Sequence, residues 1–198
     1  MMTPERLREL YDDARPAAIQ KVIDHVDIHV RQFLEACPYA ILATTNGASM
    51  DISPKGDPKG FIAVEDEHHI ILPDRPGNNR LDGMLNILAH PQVALLLIIP
   101  NVRETLRING IATIVDDEET CAAHALNGRV PKTVLRIRVQ EVMTHCGKAA
   151  MRSGLWDPSS WPTERPVANQ SEMLRDHTQT DMEILSETEI ERRYREML

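Results

Sequence analysis

A chain of 198 residues with 42% hydrophobic and 26% charged side chains has the proportions of one globular domain. Its net charge of -8 excludes the usual nucleic-acid-binding protein, which carries a basic surplus, so any basic patch here is local. The longest apolar run, residues 93–100, is far short of the roughly 20 residues of a membrane span, the start MMTPERLRELYDD lacks the apolar core of a secretory signal, and Cys37, Cys121 and Cys146 show no paired spacing. A cytoplasmic protein is expected.

In chain order, Ile19, Val22, Ile23, Val26, Val30, Phe33 and Leu34 recur at threes and fours, which predicts one amphipathic helix over residues 17–34, closed by Pro38. Residues 39–45 and 48–53 read as strands joined at Asn46-Gly47, a hairpin signal, with Ala48, Met50 and Ile52 alternating against Ser49, Asp51 and Ser53. A turn over residues 54–60 leads to strands at 61–64 and 69–72. The turn Pro73-Asp74-Arg75-Pro76-Gly77 then opens a helix over residues 79–89, which Pro91 ends.

The unbroken apolar run from Val93 to Ile99 predicts a strand covered on both faces. Residues 105–115 alternate again, 116–125 form a short helix with acids in its first turn, and 133–144 make the last long strand. A short helix follows over 145–153, where Cys146 is expected buried and inert; residues 157–170 read as a loop, and Ser186 with Glu189 predicts a capped terminal helix reaching Met197. Six or seven strands with two or three helices make an α+β barrel-like domain over residues 1–198, with a helical segment to 36, a barrel core over 37–156 and a tail over 157–198.

The most informative stretch is the passage from the strand at 69–72 into the next helix. A helix start offers amides without intrahelical partners and the positive end of a dipole, and Arg75 and Arg80 flank Gly77-Asn78-Asn79 with guanidinium donors that match phosphate oxygens. That pattern predicts an anion site in which Asn78 and Asn79 also cap the helix. The pair His145-Cys146 lacks the further ligands that a zinc centre needs, and no metal is expected. The remaining histidines share no spacing.

The blocks Ser53-Pro54-Lys55-Gly56-Asp57, Leu72-Pro73-Asp74-Arg75-Pro76-Gly77-Asn78-Asn79-Arg80, Arg107-Asn109-Gly110 and His145-Cys146-Gly147-Lys148-Ala149, in this order, resemble the pyridoxamine 5'-phosphate oxidase-like FMN-binding proteins over roughly residues 15 to 160. The closer likeness is to the branch described only as probable FMN-dependent enzymes. The resemblance implies a split antiparallel β-barrel with flanking helices, working as a homodimer that binds two flavins at the subunit interface. It implies FMN as cofactor, with phosphate held at Arg75, Asn78, Asn79 and Arg80, the ring flanked by main chain of Pro73 and Asp74, and Ser53 and Lys55 at its polar edge. Lys148, Arg152 and Trp156 would close the pocket from the partner chain, Trp156 being equally suited to a core or interface aromatic, and Arg107 would bond a neighbouring carboxylate or the phosphate.

The function so implied is that of an FMN-dependent oxidoreductase exchanging hydride through flavin N5 with an unidentified small molecule, with no side chain acting as nucleophile. The C-terminal arginine-histidine motif of true pyridoxamine phosphate oxidases is not recognisable in residues 157–198, which argues against vitamin B6 oxidation. The alternative is a non-catalytic module that binds flavin, or haem through His145 or His69.

Overall fold

The computed structural model describes residues 1–198, which fall into two compact units, residues 1–156 and 157–198. No helix in either is long and apolar enough to cross a membrane.

The first unit begins with helices α1 (Pro4–Leu10), α2 (Pro16–Gln20) and α3 (Ile28–Ala36). The continuous helix expected over residues 17–34 is broken because Ile23 trades backbone hydrogen bonds with Val142 at 3.1 and 2.7 Å, and an extended residue cannot also be helical. Asp27 restarts the helix by accepting a hydrogen bond from the Val30 amide at 2.8 Å. Val26, Val30 and Leu34 then face the core, so the apolar stripe is real although the single helix is not.

Seven antiparallel strands follow: β1 (Tyr39–Thr45), β2 (Met50–Gly56), β3 (Ala63–Val64), β4 (His69–Pro73), β5 (Gln92–Ile98), β6 (Thr105–Val115) and β7 (Val134–His145). Their order is β2-β1-β5-β6-β7-β4-β3, and the sheet does not close, leaving β2 and β3 as edges. This is the α+β split barrel. Helix α4 (Asp82–Ala89) follows β4 and packs on β1, β2 and β6; α5 (Glu118–Ala123) lies between β6 and β7; and α6 (Lys148–Ser153) follows β7.

Alternation sets the core. In β1, β5 and β6, Leu42, Leu95 and Ile108 stand side by side in register and are at most 2% exposed, and Ile137 and Ile70 continue the same face through β7 and β4. Emptying one such position, as in Leu95→Ala, costs about 2–5 kcal/mol. A smaller cluster of Ile71, Cys121 and Val134 fills the other face beneath α5. Gly110 marks a register shift between β6 and β7, and a Cβ there would lie 2.5 Å from the Arg138 carbonyl oxygen.

The second unit consists of a short 3-10 turn at Pro158–Ser160 and helices α7 (Gln170–Thr178) and α8 (Glu187–Met197). Ser186 caps α8 as expected, accepting from the Glu189 amide at 3.3 Å. Helix α7 was not expected; Asn169 and Glu172 form a reciprocal capping box at its start. Ser171 Oγ ties α7 to the connector ahead of α8 by donating to the Glu183 carbonyl at 3.2 Å and accepting from the Leu185 amide at 3.0 Å.

Candidate functional site

The link over residues 46–49 controls which side chains β2 turns inward. Asn46 Oδ1 accepts from the amides of Ala48 and Ser49 at 2.9 and 2.8 Å, Gly47 takes a φ of +87°, and β2 starts at Met50 rather than at residue 48. Register then pairs Asp51, Ser53 and Lys55 with Thr44, Leu42 and Ala40, all of which face the barrel interior. Met50 and Ile52, 74% and 66% exposed, are left on the outside. At its β2 edge the core face thus changes from apolar to a row of one carboxylate, one hydroxyl and one ammonium.

The opposite wall is the link over residues 74–81. Lys55 Nζ lies 3.5 Å from Asp74 Oδ1. Arg75 Nε donates to Asp57 Oδ2 at 2.6 Å and its Nη1 to the His124 carbonyl at 2.8 Å, which leaves Nη2 without a protein partner. Arg80 Nε donates to Asp82 Oδ2 at 2.7 Å, and its side chain is 74% exposed. Hydrogen bonding to Asp82, and then the charges of Asp82 and Asp51, hold the Arg80 guanidinium above its ordinary pKa.

The two arginines do not converge on one point. Arg75 is tied beside Asp57, whereas Arg80 is drawn to Asp82 and Asp51, and a strand rise of about 3.3 Å per residue separates Asp51 from Asp57 by about 20 Å. Each of Lys55, Arg75 and Arg80 already has an aspartate, so the cleft is charge-paired in the free protein.

Helix α4 begins three residues later than expected. Asn79 and Leu81 take φ values of 59° and 58°, a left-handed conformation that interrupts a helix, and Leu81 occupies the cap position with no side-chain hydrogen bond. Asn78 and Asn79 therefore do not cap α4; Asn78 Oδ1 accepts from the Arg80 amide at 3.1 Å instead. The uncapped first turn keeps its amides open to a ligand. One turn further along α4, Asn86 is buried and donates Nδ2 to Thr44 Oγ1 at 3.1 Å. Nothing in the sequence pattern singles out Asp51, Asp57, Asp82 or Asn86, because each acquires its role from a partner brought close by the fold.

Other expected site residues lie apart from this row. Pro73 is buried as the last residue of β4, opposite Val134. Arg107 and Asn109 project from the outer sheet face, where both hydrogen-bond Glu141, Asn109 Nδ2 at 3.3 Å, and Arg107 Nε is buried without a partner. Lys148 and Arg152 are exposed on α6, and Trp156 Nε1 donates to the Val102 carbonyl at 2.9 Å; none of the three bonds a residue of the cleft. Cys146 is exposed, contrary to expectation, while Cys37 and Cys121 are buried and burial raises both thiol pKa values.

An open antiparallel barrel whose edge strand lines an inner polar cleft defines the split-barrel class. The chain belongs to the pyridoxamine 5'-phosphate oxidase family, whose model matches residues 26–146, more than half of its length. Among solved structures, a variant of HupZ from Group A Streptococcus is similar at 17% identity and a TM-score of 0.50, covering 61% of this chain and 99% of that one, which supports the fold alone. Two further similarities are a candidate pyridoxamine 5'-phosphate oxidase from Lactobacillus delbrueckii (15% identity, 61% and 95% covered, TM-score 0.48) and an FMN-binding protein from Syntrophomonas wolfei (10%, 59% and 88%, 0.44). No curated protein sequence matches the chain.

Proposed function

We propose that the chain is an FMN-dependent oxidoreductase that binds its flavin in the cleft between the inner face of β2 and residues 74–82, as a homodimer with a second copy completing each site. The observation that carries this reading is the polar row Asp51, Ser53 and Lys55, with the uncapped start of α4 and Arg80 at its Asp51 end and Arg75 at its Lys55 end. FMN would supply hydride exchange at its N5 atom.

The chain's residues bind and tune. The amides at the start of α4 and the exposed Arg80 guanidinium would receive the phosphate, with Asn78 and Asn79 shaping the turn. Arg75, fixed by Asp57, offers Nη2 to the other end of the cofactor rather than a second grip on the phosphate. Lys55 and Ser53, with the main chain of Pro73 and Asp74, would flank the ring, where an ammonium stabilises added negative charge and raises the reduction potential. Met50 and Ile52 on the outer face are the apolar surface that a second subunit would cover, and that subunit would bring Arg107, Lys148, Arg152 and Trp156 to the pocket.

The visible spectrum of the freshly purified protein and an FMN titration test the reading together. A flavin spectrum, and an Arg80→Ala variant binding FMN more weakly by about 1.5–3 kcal/mol, support it. A Soret band would indicate haem instead, and a colourless protein that takes up no FMN would sink the proposal.

A further inference from the structure

His25 and His68 are far apart in sequence, and backbone pairing makes them neighbours. The Val26 amide donates to the Glu67 carbonyl at 2.7 Å, and the Val139 amide donates to the His68 carbonyl at 2.8 Å. Together with the bridge between Ile23 and Val142, these bonds lay the segment before α3 along the turn between β3 and β4. Val26 is buried there, whereas His25 is half-buried and His68 exposed. The two imidazole rings lie with centroids 6.4 Å apart and planes at 69°.

Each ring keeps a nitrogen for a ligand. Asp24 Oδ1 lies 3.0 Å from His25 Nδ1, and a carboxylate only accepts, so Nδ1 carries the proton and Nε2 of the neutral ring presents its lone pair. Metal-bound histidines are oriented by carboxylates in this way. No protein group hydrogen-bonds either ring nitrogen of His68, whose amide alone is bonded, to Asp66 Oδ1 at 2.7 Å.

A third ligand is at hand. The hydrogen bond to Asp24, and then the charges of Asp24, Asp27 and Glu67, hold the His25 pKa above its ordinary value, which places three carboxylates around the ring. Asp24 is spent on His25, and Asp27 accepts from the Val30 amide at 2.8 Å. Glu67, beside His68 on the same turn, is the acid left unengaged.

We infer that His25, His68 and Glu67 form a binding site for zinc or a similar imidazole-preferring divalent ion, with Asp24 orienting His25 and water completing the coordination. Two neutral nitrogens and one carboxylate oxygen suit that class, whereas calcium and magnesium take sets of oxygens. With Zn–N bonds of about 2.0–2.1 Å, two imidazoles on one ion have centroids about 5–6 Å apart, so a rotation of the exposed His68 side chain closes the gap. The ion staples the segment before α3 to the β3–β4 turn, at the β3 edge of the sheet. The site shares no residue with the flavin cleft.

The neighbouring trio Glu65, Asp66 and His69 is a poorer host, because its groups are committed within the protein. Glu65 accepts from Arg136 Nε at 2.6 Å, and Asp66 holds His69 Nδ1 at 2.9 Å as well as the His68 amide.

Calorimetric titration of the whole chain with zinc chloride tests the site, in a Cys146→Ser background that removes the exposed thiol. Saturable binding is expected, weakened at least about tenfold by His25→Ala and by His68→Ala, and unchanged by His69→Ala. The urea midpoint of the parent protein should rise with added zinc and that of His68→Ala should stay level, because an ion bridging two segments favours the folded chain. Equal midpoints of the two without zinc show that His68→Ala folds as the parent does. No saturable zinc binding, binding that survives His25→Ala or His68→Ala, or binding lost in His69→Ala would each overturn the inference.

Discussion

Asp57 and Arg75 are joined at 2.6 Å across 18 residues of sequence, with the Asp57 side chain only 9% exposed and the guanidinium also bonded to the His124 carbonyl. The pair ties the turn after β2 to the exit of β4 and to the end of α5. Arg75 therefore serves the fold before it serves any ligand.

Removing one partner strands the other charge in a largely buried place. Asp57→Ala is expected to lower stability by about 3 kcal/mol, and Arg75→Ala by a similar amount, measured by urea unfolding. Arg80→Ala, which removes an exposed ion pair, should change stability by less than about 1 kcal/mol. Weaker FMN binding then reads as a ligand contact in Arg80→Ala, and as a mixture of contact and fold in Arg75→Ala.

Gly110 sits where β6 and β7 shift register. A methyl group there would meet Ile137 Cγ2 at 2.8 Å and the Arg138 carbonyl oxygen at 2.5 Å, the latter belonging to backbone that cannot swing aside. Gly110→Ala should destabilise by about 1–3 kcal/mol in chemical denaturation. An unchanged midpoint would show that the ladder relaxes around it.

Much of this fold was legible because strands repeat every two residues. The alternation over residues 105–115 predicted a strand that the structure reproduces at Thr105–Val115, and Ser186 with Glu189 marked the start of the terminal helix. Long-range pairing was not legible: the bridge between Ile23 and Val142 splits an apolar stripe that looks continuous in sequence. The left-handed Asn79 and Leu81 delay α4, and neither residue type announces that conformation as a glycine would. The same limit applies to the cleft. Its arginines stood out by their place on either side of Gly77-Asn78-Asn79, but their partners Asp57 and Asp82, and the inward turn of Asp51, Ser53 and Lys55, depend on the fold.

The outer face of β2 leads to a prediction about assembly. Met50 and Ile52 expose apolar surface on an edge strand, and a homodimer would cover it. Sedimentation equilibrium should give twice the mass of the chain. Ile52→Glu should shift the protein toward monomer and release flavin with it; a wild-type monomer would remove the partner's share of the proposed site.

Two histidines set an acid limit. Burial, and then the charge of Arg75, depress the pKa of His124; burial, followed by Arg107 and Lys21, depresses that of His145. Each takes up a proton more readily when unfolded, so stability is expected to fall as pH drops below about 6.5 and to level off only beneath the lowered folded values. His25 opposes this trend, since its hydrogen bond to Asp24 raises its pKa and adds stability that fades as pH rises through the folded value. His124→Gln and His145→Gln should each flatten the slope of urea midpoint against pH between 7 and 5, taken over about two units.

A crystal structure of the protein with FMN bound tests the central claim most directly. The phosphate should lie at the first turn of α4 within hydrogen-bond reach of Arg80, with the ring along Ser53 and Lys55 on the inner face of β2. A flavin lodged elsewhere, with the amides of α4 bare and Arg80 still on Asp82, would contradict it.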